Sequence, residues 1–270
     1  MCGRFTVTTK YQKIIAAWPL TPDHPSIPNL VPSYNIAPTQ NVLAVWNRPT
    51  STTLTVMRWG FLPPWAKDLA EGARMINARA ETLAERPSFK RAYREQRCLI
   101  IADGFYEWRK TGKDKQPVRI VLKSRALFTF AGLYSIWQDP ETKAETVSCA
   151  IVTCAANALV QQIHGRMPVI LPKAKEVTWL DPALKEPADL QPLLTPYPAH
   201  EMEIYPVSKA VNTAAVNNPS LIEPASPWPS ALSPAGKQLV LGGGLEPPRL
   251  APHAPQTCVS AIPPPEPAGC

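Results

Sequence analysis

Residues 98–108 of the chain read Cys-Leu-Ile-Ile-Ala-Asp-Gly-Phe-Tyr-Glu-Trp. The first five of these residues are all apolar, which is typical of a buried strand. After the Asp-Gly pair, Glu107 stands between two aromatic residues in a second strand-like segment. A carboxylate in that position is either an exposed strand residue or a partly desolvated acid with a raised pKa, suited to proton transfer near pH 7. The stretch therefore predicts a buried strand and, beside it, a candidate acid–base residue.

Apolar runs and turn residues on both sides of this stretch predict a domain rich in strands with a few short helices. Strands are predicted at residues 42–46, 54–59, 118–122, 127–137, 147–154 and 201–207, with a hairpin turn at 110–115. Helices are predicted at residues 8–18 (capped by Thr8 or Thr9), 75–85, 87–97, 158–163 and, in pieces broken by proline, 173–194.

The last part of the chain, residues 219–270, differs in composition from the rest. It holds 13 of the 33 prolines, a Gly-Gly-Gly triplet at 242–244 and only five charged residues, with no helical or strand period. Such a composition predicts a disordered tail that favours the polyproline II conformation. We therefore expect one folded domain over residues 2–218, followed by the tail.

Composition and charge exclude several classes of protein. The chain has 270 residues and a formal net charge of +7, a modest basic excess that permits a polyanionic partner without requiring one. No apolar run is long enough to cross a membrane and no signal peptide is present, so a cytoplasmic location is expected, with association with the nucleoid on DNA damage. The six cysteines form no C-x-x-C pair and the four histidines are dispersed, so neither a metal site nor a cofactor is expected. Cys98, Cys149 and Cys154 are expected in the core.

Cys2 follows the initiator methionine directly. Removal of Met1 would leave one residue carrying both a thiol and a free α-amine. Such an aminothiol can attack a carbonyl carbon twice, the amine giving an imine and the thiol then closing a thiazolidine ring. It could also act as an N-terminal nucleophile hydrolase does, with the amine as base to its own thiol. A cysteine without any chemical role is the third interpretation.

Three further clusters each permit a structural and a functional interpretation. The two tryptophans of residues 59–65 either pack into the core or form a stacking platform for unpaired bases. The second cluster is residues 164–166, which are either structural or place a proton-transfer group, His164, beside a fixed cation, Arg166. Gly165 between them permits an irregular backbone. The predicted helix at 87–97 and the residue before it form either a solvated or a phosphate-facing basic surface. Its basic residues are Arg86, Lys90, Arg91, Arg94 and Arg97.

Taken together, the chain resembles the SOS response-associated peptidase family, which includes the abasic-site processing proteins. The resemblance is carried by six segments, in the family's order: residues 1–5, 34–39, 58–65, 77–82, 103–108 and 164–168. It implies an α+β fold, a compact single domain built on a curved, barrel-like antiparallel sheet flanked by short helices.

The resemblance also implies catalytic roles. Cys2 would be the nucleophile, and Asn77 would hold the reacting N-terminus and the sugar by hydrogen bonds. Glu107 would manage protons during imine formation and release. His164 would assist opening of the abasic sugar and protonate the departing oxygen.

The same resemblance implies a DNA-binding surface. Arg4, Arg79 and Arg166 would contact phosphates, and Asn35, Trp59 and Trp65 would shape the surface. Apart from the resemblance, we expect Arg86, the basic residue just before the predicted helix 87–97, to belong to the same surface. The chain departs from the family at Gly165, where Asp or Asn is common. We expect that departure to loosen the loop while leaving the roles of His164 and Arg166 intact.

Three functions are compatible with these residues. The first is a monomeric enzyme, lyase-like, that binds single-stranded DNA and captures abasic sites through Cys2 as a thiazolidine DNA–protein crosslink, protecting the site during the DNA damage response. The second is a thiol peptidase, a hydrolase with Cys2, Glu107 and His164. The third is a non-enzymatic module for single-stranded nucleic acid. A stable adduct with abasic DNA distinguishes the first from the others.

Overall fold

The computed structural model describes residues 2–27, 30–48 and 51–225. Residues 226–270, most of the predicted tail, lie outside the described residues. The helices are α1 (Tyr11–Ala17), α2 (Pro87–Glu95), α3 (Lys173–Leu180) and α4 (Pro187–Leu190). The strands are β1 (Arg4–Val7), β2 (Ser33–Ile36), β3 (Asn41–Arg48), β4 (Ser51–Trp59), β5 (Asn77–Arg79), β6 (Arg97–Ala102), β7 (Gly104–Thr111), β8 (Asp114–Leu122), β9 (Phe128–Gln138), β10 (Glu145–Ala155), β11 (Arg166–Pro168), β12 (Ile170–Leu171) and β13 (Met202–Pro206).

Five strands close into a barrel in the order β4, β3, β6, β9 and β10. The ring closes because β10 pairs antiparallel with β9 on one side and parallel with β4 on the other. The predicted α+β fold with a barrel-like sheet is thus confirmed, with a parallel seam in place of a wholly antiparallel sheet. A parallel pair needs a long crossover between its strands, and the chain between β4 and β10 supplies one.

A second sheet, ordered β13, β8, β7, β1 and β2, is joined to the barrel by aromatic packing. The ring of Phe5 on β1 lies 5.1 Å from Trp59 at the end of β4 and 5.7 Å from Phe130 on β9, both in edge-to-face geometry. Such pairs add stability beyond the area that they bury. The first strand of the chain is therefore fixed against the barrel wall within three residues of Cys2.

The residues after β4 approach another part of the backbone so closely that only glycine fits. Gly60 has φ +141°, and a Cβ added there would lie 2.8 Å from the carbonyl oxygen of Gly72. A Cβ on Gly72 would lie 2.5 Å from the carbonyl oxygen of Gly60. This contact turns the chain back toward β10, where residues 77–79 pair as β5.

The helix predicted at residues 75–85 is therefore wrong. Residues 77–79 form the short strand β5, and Ala80–Thr82 form a single 3-10 turn. The segment takes its hydrogen-bonding partner from β10, whose Ile151 and Thr153 lie opposite Asn77 and Arg79. A partner so distant in sequence overrides the local propensity that the prediction used.

Helix α1 begins at Tyr11, with Lys10 at its N-cap, not at the predicted Thr8 or Thr9. Both threonines instead donate to Asp103, whose Oδ2 lies 2.6 Å from Thr8 N and 3.1 Å from Thr9 N. Asp103 also accepts from the hydroxyl of Thr6 at 2.6 Å. The carboxylate thereby fixes the end of β1. The threonines that were predicted to cap the helix bind this distant residue instead.

The folded part of the chain continues past residue 218. Pro219–Ile222 form a 3-10 turn in which Leu221 is completely buried. The predicted boundary of the tail is therefore several residues too early, because a single apolar side chain anchors this turn. Among the described residues, no helix has the length and apolar character needed to cross a membrane.

Arg97 is a buried structural residue rather than part of a basic surface. Its guanidinium donates to five carbonyl oxygens, and it is 5% exposed. The acceptors belong to Tyr93, Arg94, Trp179, Asp181 and Leu184. These groups lie in the last turn of α2 and around the end of α3, where helices leave carbonyls without intrahelical partners. The phosphate-facing interpretation of the helix is wrong for this residue.

Candidate active site

Cys2 lies directly before β1 and is completely buried. The register of β1 and β7 places Arg4 opposite Tyr106, so Glu107 follows on the side from which Cys2 enters. Asn77 on β5 donates from Nδ2 to the carbonyl oxygen of Cys2 at 2.8 Å. Three distant segments therefore meet at the N-terminus.

The electrostatics of this cluster keep its thiol protonated. Burial, and secondly the charge of Glu107, raises the pKa of the Cys2 thiol well above its usual range. Burial also raises the pKa of the Glu107 carboxyl, while the nearby His164 opposes that effect. Glu107 thus interacts electrostatically both with the Cys2 thiol and with His164.

His164 is oriented by the backbone of the strand that follows it. The amide N–H of Arg166 donates to His164 Nδ1 at 3.0 Å. Nδ1 also lies 3.3 Å from the carbonyl oxygen of Arg166. These two contacts orient the ring so that Nε2 faces away from this part of the backbone.

Arg166 forms a bidentate ion pair that the sequence did not reveal. Its two Nη atoms lie 2.6 and 2.9 Å from the carboxylate oxygens of Glu81. Nη2 also donates to the carbonyl oxygen of Thr153 at 2.6 Å. Glu81 lies in the segment 77–82, two residues after Arg79. That position beside other site residues was the sign in the sequence that Glu81 belongs to the site.

Arg4 and Asn35 hold the segment that follows β13. Arg4 Nη1 lies 2.9 Å from both Asn35 Oδ1 and the carbonyl oxygen of Val211. Asn35 Nδ2 donates to three carbonyl oxygens, those of Val211, Thr213 and Val216. Both side chains therefore act within the fold. Trp108 contacts the same segment, donating to Asn212 Oδ1 at 2.7 Å.

The two tryptophans of residues 59–65 have different surroundings. Trp59 is completely buried and its indole N–H donates to the carbonyl oxygen of Ile76 at 2.9 Å. A ring with no exposed face cannot stack on a base, so the stacking interpretation fails for Trp59. Trp65 is 60% exposed and offers a ring face.

The remaining predicted cations lie at the surface. Arg79 ends β5, and Arg86 precedes α2, which also carries Lys90; all three are exposed. Arg91 on the same helix pairs with Glu95 at 3.3 Å. Neither Arg86 nor Lys90 forms an ion pair with any acidic residue in the described ranges.

Gly165 imposes no special backbone. A Cβ added there would meet nothing within 4 Å, and its φ lies outside the left-handed region. The chain bends at Gly165 without needing a conformation that only glycine adopts, so the position is open to Asp or Asn.

The fold and the site together define a β-barrel protein that holds the cysteine at position 2 beside a glutamate, a histidine and an asparagine. A sequence model described as SOS response associated peptidase (SRAP) matches residues 1–214. The chain belongs to this family.

Two relatives match this chain over nearly the whole of their own length. The abasic site processing protein YoqW of Bacillus subtilis (strain 168) is 48% identical over 224 residues, covering 83% of this chain and 99% of the relative. The abasic site processing protein YedK of Escherichia coli (strain K12) is 31% identical, covering 83% and 100%. A crystal structure of a protein from Bacteroides thetaiotaomicron superposes with a TM-score of 0.75 at 27% identity, covering 83% and 100%.

Proposed function

We propose that the chain processes abasic sites in single-stranded DNA, capturing them covalently through Cys2 after Met1 has been removed. The observation that carries the proposal is the contact of Asn77 with the Cys2 carbonyl in a site shared with Glu107 and His164. The names of the relatives support the choice of substrate.

The burial of the thiol favours attack by the amine first. A thiol whose pKa is raised by burial is protonated at neutral pH and is a poor initial nucleophile. The α-amine of Cys2 adds to the aldehyde carbon of the ring-opened abasic sugar, and loss of water gives an imine. The thiol sulfur then adds to the imine carbon and its proton passes to the nitrogen. The product is a thiazolidine, with one water released.

Asn77 is suited to hold the reacting group. Its Oδ1 is buried and accepts no hydrogen bond from any residue in the described ranges. A buried acceptor without a partner is costly to leave unpaired, so it offers a position to the Cys2 amine or a sugar hydroxyl. Holding amine and aldehyde together in this way lowers the barrier by on the order of 7–11 kcal/mol.

Glu107 and His164 would divide the proton transfers. Glu107 takes a proton from the attacking amine and returns it to the departing hydroxyl. In its imidazolium form His164 donates a proton to the sugar ring oxygen as the ring opens, and the neutral ring is reprotonated from solvent before the next turnover.

The burial of Cys2 also supports a single-stranded substrate. The sugar carbon must reach a residue that is completely enclosed, which a nucleotide inside a duplex cannot do without being extruded. The same protonated thiol argues against a thiol peptidase, which needs a thiolate for attack on an amide.

Incubation with an abasic single-stranded oligonucleotide tests the proposal. We expect an adduct that persists on a denaturing gel, with an intact mass equal to protein lacking Met1 plus oligonucleotide minus one water. An oligonucleotide with an intact base at that position is the control. Absence of the adduct from protein shown by mass to lack Met1 would refute the proposal.

Replacing Glu107 with glutamine is expected to slow adduct formation by about 10²–10⁴-fold, because the proton carrier is lost. The same change is expected to stabilise the fold at pH values above the folded-state pKa of Glu107. Burial raises the pKa of Glu107 over its unfolded value, so the free energy of unfolding of the wild type falls as pH rises through the folded-state pKa. Glutamine does not titrate, and that fall should disappear.

Single-turnover gels and thermal denaturation at several pH values measure both effects of Glu107→Gln. Glu145→Gln, an exposed glutamate at the start of β10, is the matched control and should change neither. Equal adduct rates for Glu107→Gln and the wild type would contradict the assigned role.

Removing the cations at the start of α2 is expected to weaken DNA binding in a salt-dependent way. The slope of log K against log salt concentration should become less steep by about 0.7 for each lost phosphate contact. Fluorescence anisotropy of Arg86→Ala/Lys90→Ala with an undamaged single-stranded oligonucleotide measures this. Lys123→Ala/Lys175→Ala removes the same charge from exposed positions elsewhere. Identical slopes for the two double variants would exclude α2 from the DNA-binding surface.

A further inference from the structure

We propose that Glu81 is a positioning residue that fixes the Arg166 guanidinium and withholds it from the phosphates of undamaged DNA. The inference rests on the proposed function, because DNA is the ligand that it concerns. The capture chemistry proposed above does not use the Glu81 carboxylate, although it lies beside the site.

The geometry leaves Arg166 little capacity for a phosphate. A guanidinium has five N–H donors, two on each Nη atom and one on Nε. Glu81 takes one donor from each Nη, and the carbonyl of Thr153 takes the second donor of Nη2. Nε is buried. One donor on Nη1 remains, so the bidentate contact that arginine usually makes with a phosphate is blocked.

Glu81 is also the outer partner of the pair. Its side chain is 51% exposed, whereas that of Arg166 is 19% exposed. The hydrogen bond from Arg166, followed by the charges of Arg166 and Arg79, lowers the pKa of the Glu81 carboxyl, which is therefore ionised at neutral pH. A DNA strand approaching Arg166 meets this negative charge first.

The pair also braces the two segments that carry the site. Glu81 follows β5, which bears Asn77, and Arg166 begins β11 and holds the ring of His164 through its backbone amide. A rigid link between these two segments keeps Asn77 and His164 at a fixed distance from each other. The carboxylate therefore lowers affinity for DNA in general and preserves the geometry of the reaction.

The first test measures binding without reaction. Glu81→Gln in a Cys2→Ala background is titrated with an undamaged single-stranded oligonucleotide by fluorescence anisotropy. We expect binding about 2–5-fold tighter and a salt slope steeper by about 0.7, the value for one added phosphate contact. Glu85→Gln, an exposed glutamate four residues away, controls for the loss of charge alone.

A second variant assigns the gain to Arg166. Adding Arg166→Gln to Glu81→Gln should abolish the added slope, and Glu81→Asp, which keeps the charge, should bind as tightly as the parent. An unchanged slope for Glu81→Gln, or one matched by Glu85→Gln, overturns the proposal. Weaker binding by Glu81→Gln also overturns it, since a purely structural brace would give that result.

The positioning role has its own readout. With Cys2 present, Glu81→Gln is expected to form the adduct about 10-fold more slowly at saturating abasic oligonucleotide, within the range for a misplaced reacting group. An unchanged rate overturns this part. Failure of the proposed function would instead appear as no adduct with the wild type, while the binding test, made without reaction, still stands.

Discussion

Replacing Cys2 with alanine is expected to abolish the adduct with abasic DNA that survives denaturation. The α-amine would remain, so an imine could still form. An imine hydrolyses, however, and only the sulfur at this position can close it into a ring. The expected loss is therefore of the whole stable product, read as a missing band on a denaturing gel and a missing mass.

Two matched proteins separate the thiol from the amine. Cys2→Ser keeps the size of the side chain but offers a weaker nucleophile, and should give at most a labile imine or oxazolidine. A protein that retains Met1 keeps the thiol and loses the free amine of Cys2, and should form no adduct. If Cys2→Ala crosslinks as efficiently as the wild type, the proposed chemistry is wrong.

Replacing Arg97 with alanine is expected to unfold or nearly unfold the protein. Five carbonyl oxygens lose a donor, two of them in buried and three in partly buried hydrogen bonds, and the removed side chain leaves a cavity. Each buried acceptor left unpaired costs about 1–3 kcal/mol. Even partial relaxation leaves a loss of about 5 kcal/mol or more, comparable with the whole stability of a typical domain, about 5–15 kcal/mol.

Urea denaturation followed by tryptophan fluorescence measures this loss. Arg91→Ala on the same helix removes an equal charge from an exposed pair and should change the free energy of unfolding by less than about 1 kcal/mol. Arg97→Lys should be intermediate, because an ammonium group has three donors for five acceptors. A loss for Arg97→Ala no larger than that for Arg91→Ala would show that the carbonyls find other partners.

Much of the fold follows from local patterns in the sequence. The apolar run at 98–102 is the wholly buried strand β6, and the hairpin at 110–115 joins β7 to β8. The predictions failed where a distant residue supplied the partner. β10 draws residues 77–79 into a strand, and Asp103 takes the two threonines expected to cap α1. No local pattern contains those partners.

The candidate site was likewise predictable where the residue types themselves indicate chemistry, and not where the outcome depends on burial. The sequence singled out Cys2, Asn77, Glu107 and His164, and the structure brings them into one cluster. It could not distinguish Arg97 from the exposed cations of α2, because burial depends on where α3 ends. Nor could it show that Trp59 fills the core while Trp65 faces outward.

Because folding buries Cys2, the proposed removal of Met1 has to take place before the fold is complete. Asn77, which closes over the Cys2 carbonyl, is synthesised 75 residues later, and the strand β7 that carries Glu107 follows further on. At roughly 5–20 residues per second, translation takes about 4–15 s to reach Asn77 after Cys2 has been made, and the Cys2 carbonyl has no contact with Asn77 during that time. An aminopeptidase working at the ribosome has that interval to remove Met1, whereas one that meets the finished barrel finds Cys2 enclosed. The fraction of competent protein would then be decided during synthesis, and slowing aminopeptidase action relative to translation would leave a population that is folded but inert.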